Sequence, residues 1–234
     1  ERPYLKHWLQ LLETVRPNAP TETAAWQPDS LEASTPIDGA EAFGLTDVQY
    51  AYWVGRQDGQ PLGGVGCHAY LELEGRGIDP SRLEGGWQQL FRQHAMLRTR
   101  FGTDGTQCVC EDLAAPPLRT HDFRHLAANE AEARLLAVRD RLSHRRLDVA
   151  IGEVAGLELS LLPGGGTCIH FDIDLLVADV QSLHILLRDL AAAYQGQALR
   201  ADPDWRFSQY LNSEARRGAE QVDIAQKYWQ DSQI

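Results

Sequence analysis

Two aspartates and a serine occur in a mostly apolar stretch of the chain, DLLVADVQS, which runs from Asp174 to Ser182. Carboxylates in such a place can move protons, pair with a cation or cap a helix. A strand pattern ends near Asp174 and a helix pattern begins a few residues later, so Asp179 and Ser182 stand at the predicted helix start. Functional residues are common at such junctions, which makes this segment the first candidate for a site.

The aspartates of this region allow two interpretations. In the first, Asp179 caps the helix, while Asp172 and Asp174 alternate onto one solvated face of the strand. In the second, Asp174 and Asp179 face a shared interior space, where buried carboxylates need partners or one of them must retain a proton. Arg56 and Arg98 are the basic residues that we would then expect as partners.

Length and composition restrict the class of protein. The chain has 234 residues, 43% hydrophobic and 24% charged, which fits one large domain or a domain with an appendage. A net charge of −11 argues against nucleic acid as a partner, because phosphate binding needs a basic face. Since no apolar run approaches the ~20 residues of a membrane span and no signal segment opens the chain, the sequence predicts a cytoplasmic protein without membrane contact.

No metal-ligand pattern is visible in the sequence. The cysteines and the neighbouring histidines do not fall at the spacing of zinc ligands. We therefore expect four reduced thiols, histidines in separate local roles, and no metal site. The residues concerned are Cys67, Cys108, Cys110, Cys168, His68, His94, His170 and His184.

Helix and strand patterns alternate from about residue 43 onward, without an internal repeat. Such a mixture predicts an α+β or α/β class. The predicted helices cover residues 45–56, 79–94, 128–147, 180–194, 207–217 and 222–232. The predicted strands cover residues 67–75, 96–101, 106–112, 118–123, 157–162 and 167–176, with a hairpin around GTDG and another around PGGG.

The first 41 residues have a different character. Residues 1–16 form an amphipathic helix pattern with Pro3 at its start, and residues 17–41 have the composition of a linker with four prolines. One such helix cannot be a domain by itself. Because the chain starts with Glu1 and ends inside a predicted helix, we expect a fragment of a longer protein.

Three motifs resemble the heterocyclization domains of nonribosomal peptide synthetases, which are variants of condensation domains. Residues 174–182 match the D-x4-D-x2-S signature, which replaces the H-H-x3-D-G motif of condensation domains. Residues 43–56, FGLTDVQYAYWVGR, resemble the opening motif F-P-L-T-x2-Q-x-A-Y-x2-G-R, and residues 93–97, QHAML, resemble R-H-x-M-L. The matching positions of the opening motif are Phe43, Leu45, Thr46, Gln49, Ala51, Tyr52, Gly55 and Arg56.

Two positions depart from these motifs. Gly44 stands where the family has proline, which loosens the turn before the helix. Gln93 stands where the family has arginine, beside the matching His94. Any salt bridge that the family makes from that arginine is in doubt here, and Arg98 could supply it instead.

The resemblance implies a fold and a reaction. The fold is α+β and chloramphenicol-acetyltransferase-like, with residues 42–234 as the N-terminal one of two lobes and the second lobe outside this chain. The reaction condenses a carrier-bound aryl acyl thioester with carrier-bound cysteine, serine or threonine, and then cyclodehydrates the product to a thiazoline or oxazoline. Alone, this chain is expected to be inactive, because half of the cleft is missing.

The resemblance also implies partners. Residues 1–16 are similar to the last helix of an upstream aryl- or peptidyl-carrier domain, and residues 17–41 to the linker after it, as in siderophore synthetases of the pyochelin and yersiniabactin type. Adenylation and peptidyl-carrier domains would follow downstream. The 4′-phosphopantetheine groups would be attached to those carriers, not to this chain.

Roles for individual residues follow from the motifs. Asp174, Asp179 and Ser182 are the candidate catalytic residues. We expect Asp179 to be a structural residue that shapes the substrate tunnel, and Ser182 to be a helix-start residue. For Asp174, both a role as a base and a structural role remain open. The candidate tunnel or structural residues are Phe43, Thr46, Gln49, Tyr52, Arg56, His94 and Arg98.

Two further expectations concern the opening motif. Its aromatic residues, Tyr50, Tyr52 and Trp53, have helical spacing and are expected to be core rather than ligand contacts. Arg56 is expected to brace an aspartate rather than to hold a pantetheine phosphate.

Two other functions remain open at this point. A condensing acyltransferase that does not cyclise is disfavoured by the absence of H-H-x3-D-G. A catalytically incomplete carrier-docking module is the other alternative, and only a comparison of the chain with and without its second lobe separates it from the enzyme.

Overall fold

The computed structural model describes residues 42–58, 63–199, 206–214, 222 and 227–228. The predicted helix 1–16 and linker 17–41 lie outside these residues, as does most of the predicted helix 222–232. The strands are β1 (Phe43–Gly44), β2 (His68–Arg76), β3 (Thr99–Phe101), β4 (Thr106–Val109), β5 (Arg119–Asp122), β6 (Ala155–Leu161) and β7 (Gly166–Asp174). The helices are α1 (Asp47–Gly55), α2 (Pro80–Gln93), α3 (Ala128–Ser143), α4 (Val180–Tyr194) and α5 (207–214).

The strands form two sheets. The larger has the order β2-β7-β6-β5, in which the β2–β7 and β6–β7 pairs are antiparallel and the β5–β6 pair is parallel. The smaller is antiparallel with the order β1-β4-β3, and it contains the hairpin predicted around GTDG. The predominantly antiparallel pairing in both sheets confirms the predicted α+β class.

One face of the larger sheet carries the apolar core. Leu159, Ile169 and Phe171 alternate onto this face and are buried against α2 and α4. Trp87 of α2 lies edge-on to Phe171, with ring centroids 6.0 Å apart, and its indole N–H donates to a backbone carbonyl of the loop before β5. The core therefore fixes β7, and with it the strand end that leads into the signature segment.

Side-chain caps begin three of the helices. Thr46 and Gln49 form a reciprocal capping box at the start of α1, Asp79 caps α2, and Asp179 caps α4. The helix α2 runs through its paired glycines without interruption. A Cβ on Gly86 would lie 3.3 Å from a backbone nitrogen of α4, so this glycine permits the close approach of the two helices.

The helices are amphipathic rather than apolar on all sides. In α2, for example, Leu83, Trp87 and Leu90 are buried while the opposite side is polar. Within the described ranges, no helix combines the length and the apolar character that crossing a membrane requires.

The second face of the larger sheet is polar and nevertheless buried. Glu158, His170, Asp172 and Asp174 alternate onto it from β6 and β7, and Asp172 and Asp174 are only 0% and 1% exposed. The prediction that these two aspartates lie on a solvated face is wrong. The helix α3 and the segment after it lie over this face and supply arginine side chains to its carboxylates.

Candidate functional site

Asp174 ends strand β7 and is held on both of its carboxylate oxygens. Oδ2 accepts a hydrogen bond from Nη1 of Arg56 at 2.5 Å, and Oδ1 accepts one from the backbone N–H of Leu176 at 3.0 Å. Arg56 also donates from Nη2 to the carbonyl of Leu147 at 2.6 Å. Both charged side chains are almost completely buried, at 6% and 1% exposure, so this is an ion pair that braces the segment. The expected brace from Arg56 is confirmed.

A second bond ties the opening motif to the same segment. Nε2 of Gln49, a buried residue of α1, donates to the carbonyl of Leu176 at 2.7 Å. Oε1 of Gln49 accepts from the backbone N–H of Thr46, which completes the cap of α1. Leu176 is thus fixed at its N–H by Asp174 and at its carbonyl by Gln49, and two motifs far apart in sequence form one unit.

Asp179 has a different environment from Asp174. Its side chain is exposed, and Oδ1 accepts both the backbone N–H and the hydroxyl of Ser182 at 2.7 Å. These two hydrogen bonds lower the pKa of the Asp179 carboxyl below its usual value. The interpretation in which Asp174 and Asp179 face one interior space is therefore wrong, because only Asp174 is inside. Ser182 lies in the first turn of α4, as predicted.

Asp172 forms a further buried pair that the sequence did not predict. Nε and Nη2 of Arg145 both lie 3.0 Å from its Oδ2, whereas its Oδ1 has no hydrogen-bond partner among the described residues. Burial raises the pKa of Asp172 in spite of this arginine. A Cβ on Gly156 would lie 2.5 Å from Oδ1 of Asp172 and 2.6 Å from Nη2 of Arg145, so the pair needs glycine at that position.

The other predicted site residues lie in several places. Phe43 packs edge-on against Phe207, and Tyr52 is half-buried against the core. His94 ends α2 and its Nε2 lies 3.0 Å from Asp189 of α4. These residues stabilise the lobe, and the ring contact of Phe43 and the hydrogen bond of His94 to Asp189 lie outside the segment 174–182.

Two expectations fail at the edge of the site. Arg98 pairs with Glu111 at 2.5 Å rather than with either aspartate. Tyr50 is 54% exposed and stacks on Trp53, so it is not a core residue, whereas Trp53 packs against the core as predicted and donates to the carbonyl of Gly102.

Among the described residues, one group of side chains has the composition of a metal site. The ligand atoms of Glu72, Cys168 and His170 lie within 4.8 Å of one another. Arg139 holds both carboxylate oxygens of Glu72, and burial raises the pKa of the Cys168 thiol to about 12. A cation would have to displace this arginine and deprotonate this thiol, so the group fits a hydrogen-bond network better than a metal centre.

His170 is the centre of that network. Its Nδ1 lies 2.8 Å from the hydroxyl of Tyr70, and its Nε2 lies 2.9 Å from the hydroxyl of Ser160. Since Tyr70 donates its only proton to Glu72 at 2.7 Å, Nδ1 of His170 must donate to Tyr70 and Nε2 must accept from Ser160. The network therefore defines one neutral tautomer, and burial lowers the pKa of His170 from 6.5 to about 4.

A pH dependence of stability follows from the low pKa of His170. Between about pH 6.5 and pH 4 the unfolded chain binds a proton that the folded protein does not, so stability is fully present above this range and falls as the pH decreases. We expect wild type to lose about 2 kcal/mol more than a His170→Gln variant between pH 7 and pH 5 in urea titrations. His144→Gln is the control, because it removes an imidazole whose side chain is 77% exposed. Equal slopes for wild type and His170→Gln would contradict the neutral state assigned to the buried His170.

Sequence reasoning missed three contributors to this region: Gln107, Arg145 and Gly156. Gln107 lies in the predicted hairpin, but none of the three motifs includes it. A signal for Arg145 was present, because ionisable residues recur on every second position of β2 and β7 while arginines recur along the helix pattern 128–147. The sequence did not show that the polar face of the larger sheet is buried, so nothing indicated that its carboxylates need arginine partners.

Comparisons with known proteins agree with this geometry. The profile of the condensation-domain family matches residues 42–233. Phenyloxazoline synthase MbtB of Mycobacterium tuberculosis is 41% identical over 197 residues, which are 83% of this chain and 13% of that protein. Pyochelin synthetase PchE of Pseudomonas aeruginosa is 39% identical over 234 residues, which are 98% of this chain and 15% of that protein. The chain therefore spans a minor part of these relatives.

Solved structures give the same result. The cyclization-docking bidomain of the nonribosomal peptide synthetase EpoB from Sorangium cellulosum superimposes with a TM-score of 0.75 at 27% identity, over 97% of this chain and 44% of that one. The sequence motifs and the structural match both point to the cyclization branch, which confirms the predicted resemblance to heterocyclization domains. By sequence and by fold, this chain belongs to the condensation-domain family of nonribosomal peptide synthetases.

Proposed function

We propose that this chain forms the N-terminal lobe of a heterocyclization domain in siderophore-like biosynthesis. The domain would condense a carrier-bound aryl acyl thioester with carrier-bound cysteine, serine or threonine, and close the product to a thiazoline or oxazoline with loss of water. The observation that carries the proposal is the buried Arg56–Asp174 pair, which joins the opening motif to the heterocyclization signature. The identity to a phenyloxazoline synthase and a pyochelin synthetase supports the same product class.

The proposed reaction needs positioning more than covalent catalysis. Both thioesters are already activated, and tethering to carriers supplies a high effective concentration. Residues of this lobe would therefore orient the two arms and exclude water. The Arg56–Asp174 pair and the Gln49–Leu176 bond are suited to this role, because they fix the backbone between β7 and α4 on both sides.

Neither signature aspartate is well suited to carry a proton. Both oxygens of Asp174 are occupied by Arg56 and by the backbone N–H of Leu176. Asp179 has a lowered pKa, which makes its carboxylate a weak base near neutral pH. We therefore assign both residues positioning roles, and we expect the groups that move protons during dehydration to belong to the second lobe.

The proposed partners are an upstream aryl- or peptidyl-carrier domain and downstream adenylation and peptidyl-carrier domains. The 4′-phosphopantetheine arms of the carriers would bring both substrates into the cleft. Residues 1–16 and 17–41 would be the end of the upstream carrier domain and its linker. The relatives, of which this chain spans only a part, support such a multidomain setting.

Intact-protein mass spectrometry on the complete synthetase tests this proposal. The acceptor carrier is loaded with cysteine and, as a matched control, with alanine, which has the amine but no side-chain nucleophile. We expect condensation followed by loss of one water with cysteine, and condensation alone with alanine. Condensation without water loss for cysteine, serine and threonine would indicate a non-cyclising acyltransferase. No condensation at all, with both carriers loaded, would indicate a docking module.

A further inference from the structure

We propose that Gln107, which none of the recognised motifs includes, is a positioning residue for the reaction of this domain. The proposal rests on the function proposed above. Gln107 lies in the central strand β4 of the smaller sheet, opposite Phe43 of β1 and Phe101 of β3. Its side chain is 1% exposed, so all of its polar atoms must be satisfied inside the protein.

The side chains of Gln107 and Gln49 form a reciprocal amide pair. Nε2 of Gln49 donates to Oε1 of Gln107 at 3.1 Å, and Nε2 of Gln107 donates to Oε1 of Gln49 at 3.0 Å. The second N–H of Gln107 donates to the carbonyl of Gly44 at 2.9 Å. The second N–H of Gln49 is thereby directed to the carbonyl of Leu176 at 2.7 Å.

The pair connects three parts of the lobe. Gly44 is the second residue of the opening motif, Gln49 lies in α1, and Leu176 lies in the signature segment between Asp174 and Asp179. Gln107 fixes the amide plane of Gln49, because it engages both the oxygen and the nitrogen of that amide. The orientation of the Gln49 amide in turn determines whether its remaining N–H reaches Leu176.

The donor and acceptor requirements make glutamine specific at this position. Position 107 must donate to Gly44 and to Gln49 and must accept from Gln49. A glutamine amide has two donors and an acceptor, whereas methionine lacks the donors and an ionised glutamate only accepts. A replacement that removes these bonds frees the Gln49 amide to rotate and releases the carbonyl of Leu176. A small displacement of a positioning segment costs up to about a hundredfold in rate.

The first test compares Gln107→Met with Thr99→Val in the complete synthetase. Thr99 is a matched control, because it is 0% exposed in the neighbouring strand β3 and its hydroxyl contacts only the sulfur of Met96 among the described hydrogen bonds. We expect Gln107→Met to lower kcat for heterocycle formation by about ten- to a hundredfold with little change in KM, and Thr99→Val to keep the wild-type rate. Hydrogen exchange in peptides that cover residues 174–179 should be faster only in Gln107→Met.

A second variant tests the position if Gln107→Met does not fold. Gln107→Glu introduces a carboxyl of nearly the same shape, and burial beside two carbonyl oxygens raises its pKa. When protonated, this group can donate to Oε1 of Gln49 and accept from its Nε2, which restores the pair. We therefore expect the rate of Gln107→Glu relative to wild type to rise when the pH decreases from about 8 to about 6.

The outcomes separate this proposal from the proposed function. If wild type forms no heterocycle, the proposed function fails. If wild type forms the heterocycle while Gln107→Met matches Thr99→Val in rate and exchange, the positioning role of Gln107 is overturned. A pH-independent ratio for Gln107→Glu would overturn it as well, because a residue that only stabilises the sheet has no effect on the rate per folded molecule.

Discussion

Replacing Arg56 by methionine is expected to lower the free energy of unfolding by about 3–5 kcal/mol, because it leaves the Asp174 carboxylate buried and unpaired. The side chains of this pair are 6% and 1% exposed, so solvent cannot compensate for the lost partner. The substitution also removes the hydrogen bond from Arg56 to the carbonyl of Leu147, which connects the end of α1 to the segment after α3. The expected cost therefore exceeds that of an ordinary surface ion pair.

A double variant separates the ion pair from simple loss of contacts. Arg56→Met with Asp174→Leu removes both charges, and we expect it to be more stable than either single variant, because no buried charge is left alone. Arg124→Met is the control, since Arg124 and Asp122 make a pair of the same length on the surface, and its urea midpoint should stay at the wild-type value. Additive effects of the two buried substitutions would contradict the assigned ion pair.

The second large effect concerns catalysis. We expect Asp174→Asn to lower the rate of total product formation by about a hundredfold or more, because the Arg56 charge becomes uncompensated and the segment before α4 shifts. For Asp179→Asn we expect a decrease of less than about tenfold, because asparagine is also a good helix cap and keeps an acceptor for the backbone N–H of Ser182.

Single-turnover assays on the complete, loaded synthetase measure these rates. Asp140→Asn is the control, because Asp140 lies on the exposed side of α3. Circular dichroism on each variant shows whether the fold is kept. An Asp179→Asn variant that is slower than Asp174→Asn would mean that the exposed carboxylate, not the buried ion pair, is the critical group.

Local signals in the sequence were sufficient for most helix boundaries. Thr46, Asp79 and Asp179 precede amphipathic patterns and can bind the free N–H groups of a first turn, and each of them caps a helix in the structure. The sequence also named Arg56, together with Arg98, as a possible partner for a buried aspartate. The structure pairs Arg56 with Asp174.

The features that the sequence did not predict depend on contacts between residues far apart in the chain. Alternation in β7 shows that Asp172 and Asp174 share a face, but not whether that face meets water or a helix with arginines. Tyr50 follows the helical spacing of core residues and is exposed nevertheless, because α1 packs mainly through other positions. Only the contact with Gln49 in the structure identifies Gln107 as a residue of the site.

The ratio of amide to heterocycle in Asp174→Asn and Asp179→Asn shows whether these aspartates take part in ring closure. In our proposal they organise the segment between β7 and α4 and do not carry protons in ring closure. Mass spectrometry on the loaded synthetase resolves the two products, which differ by one water. We expect amide and heterocycle to decrease together, so that both folded variants keep the wild-type ratio. Accumulation of the amide in either variant would contradict the positioning role and assign that aspartate to cyclisation or dehydration.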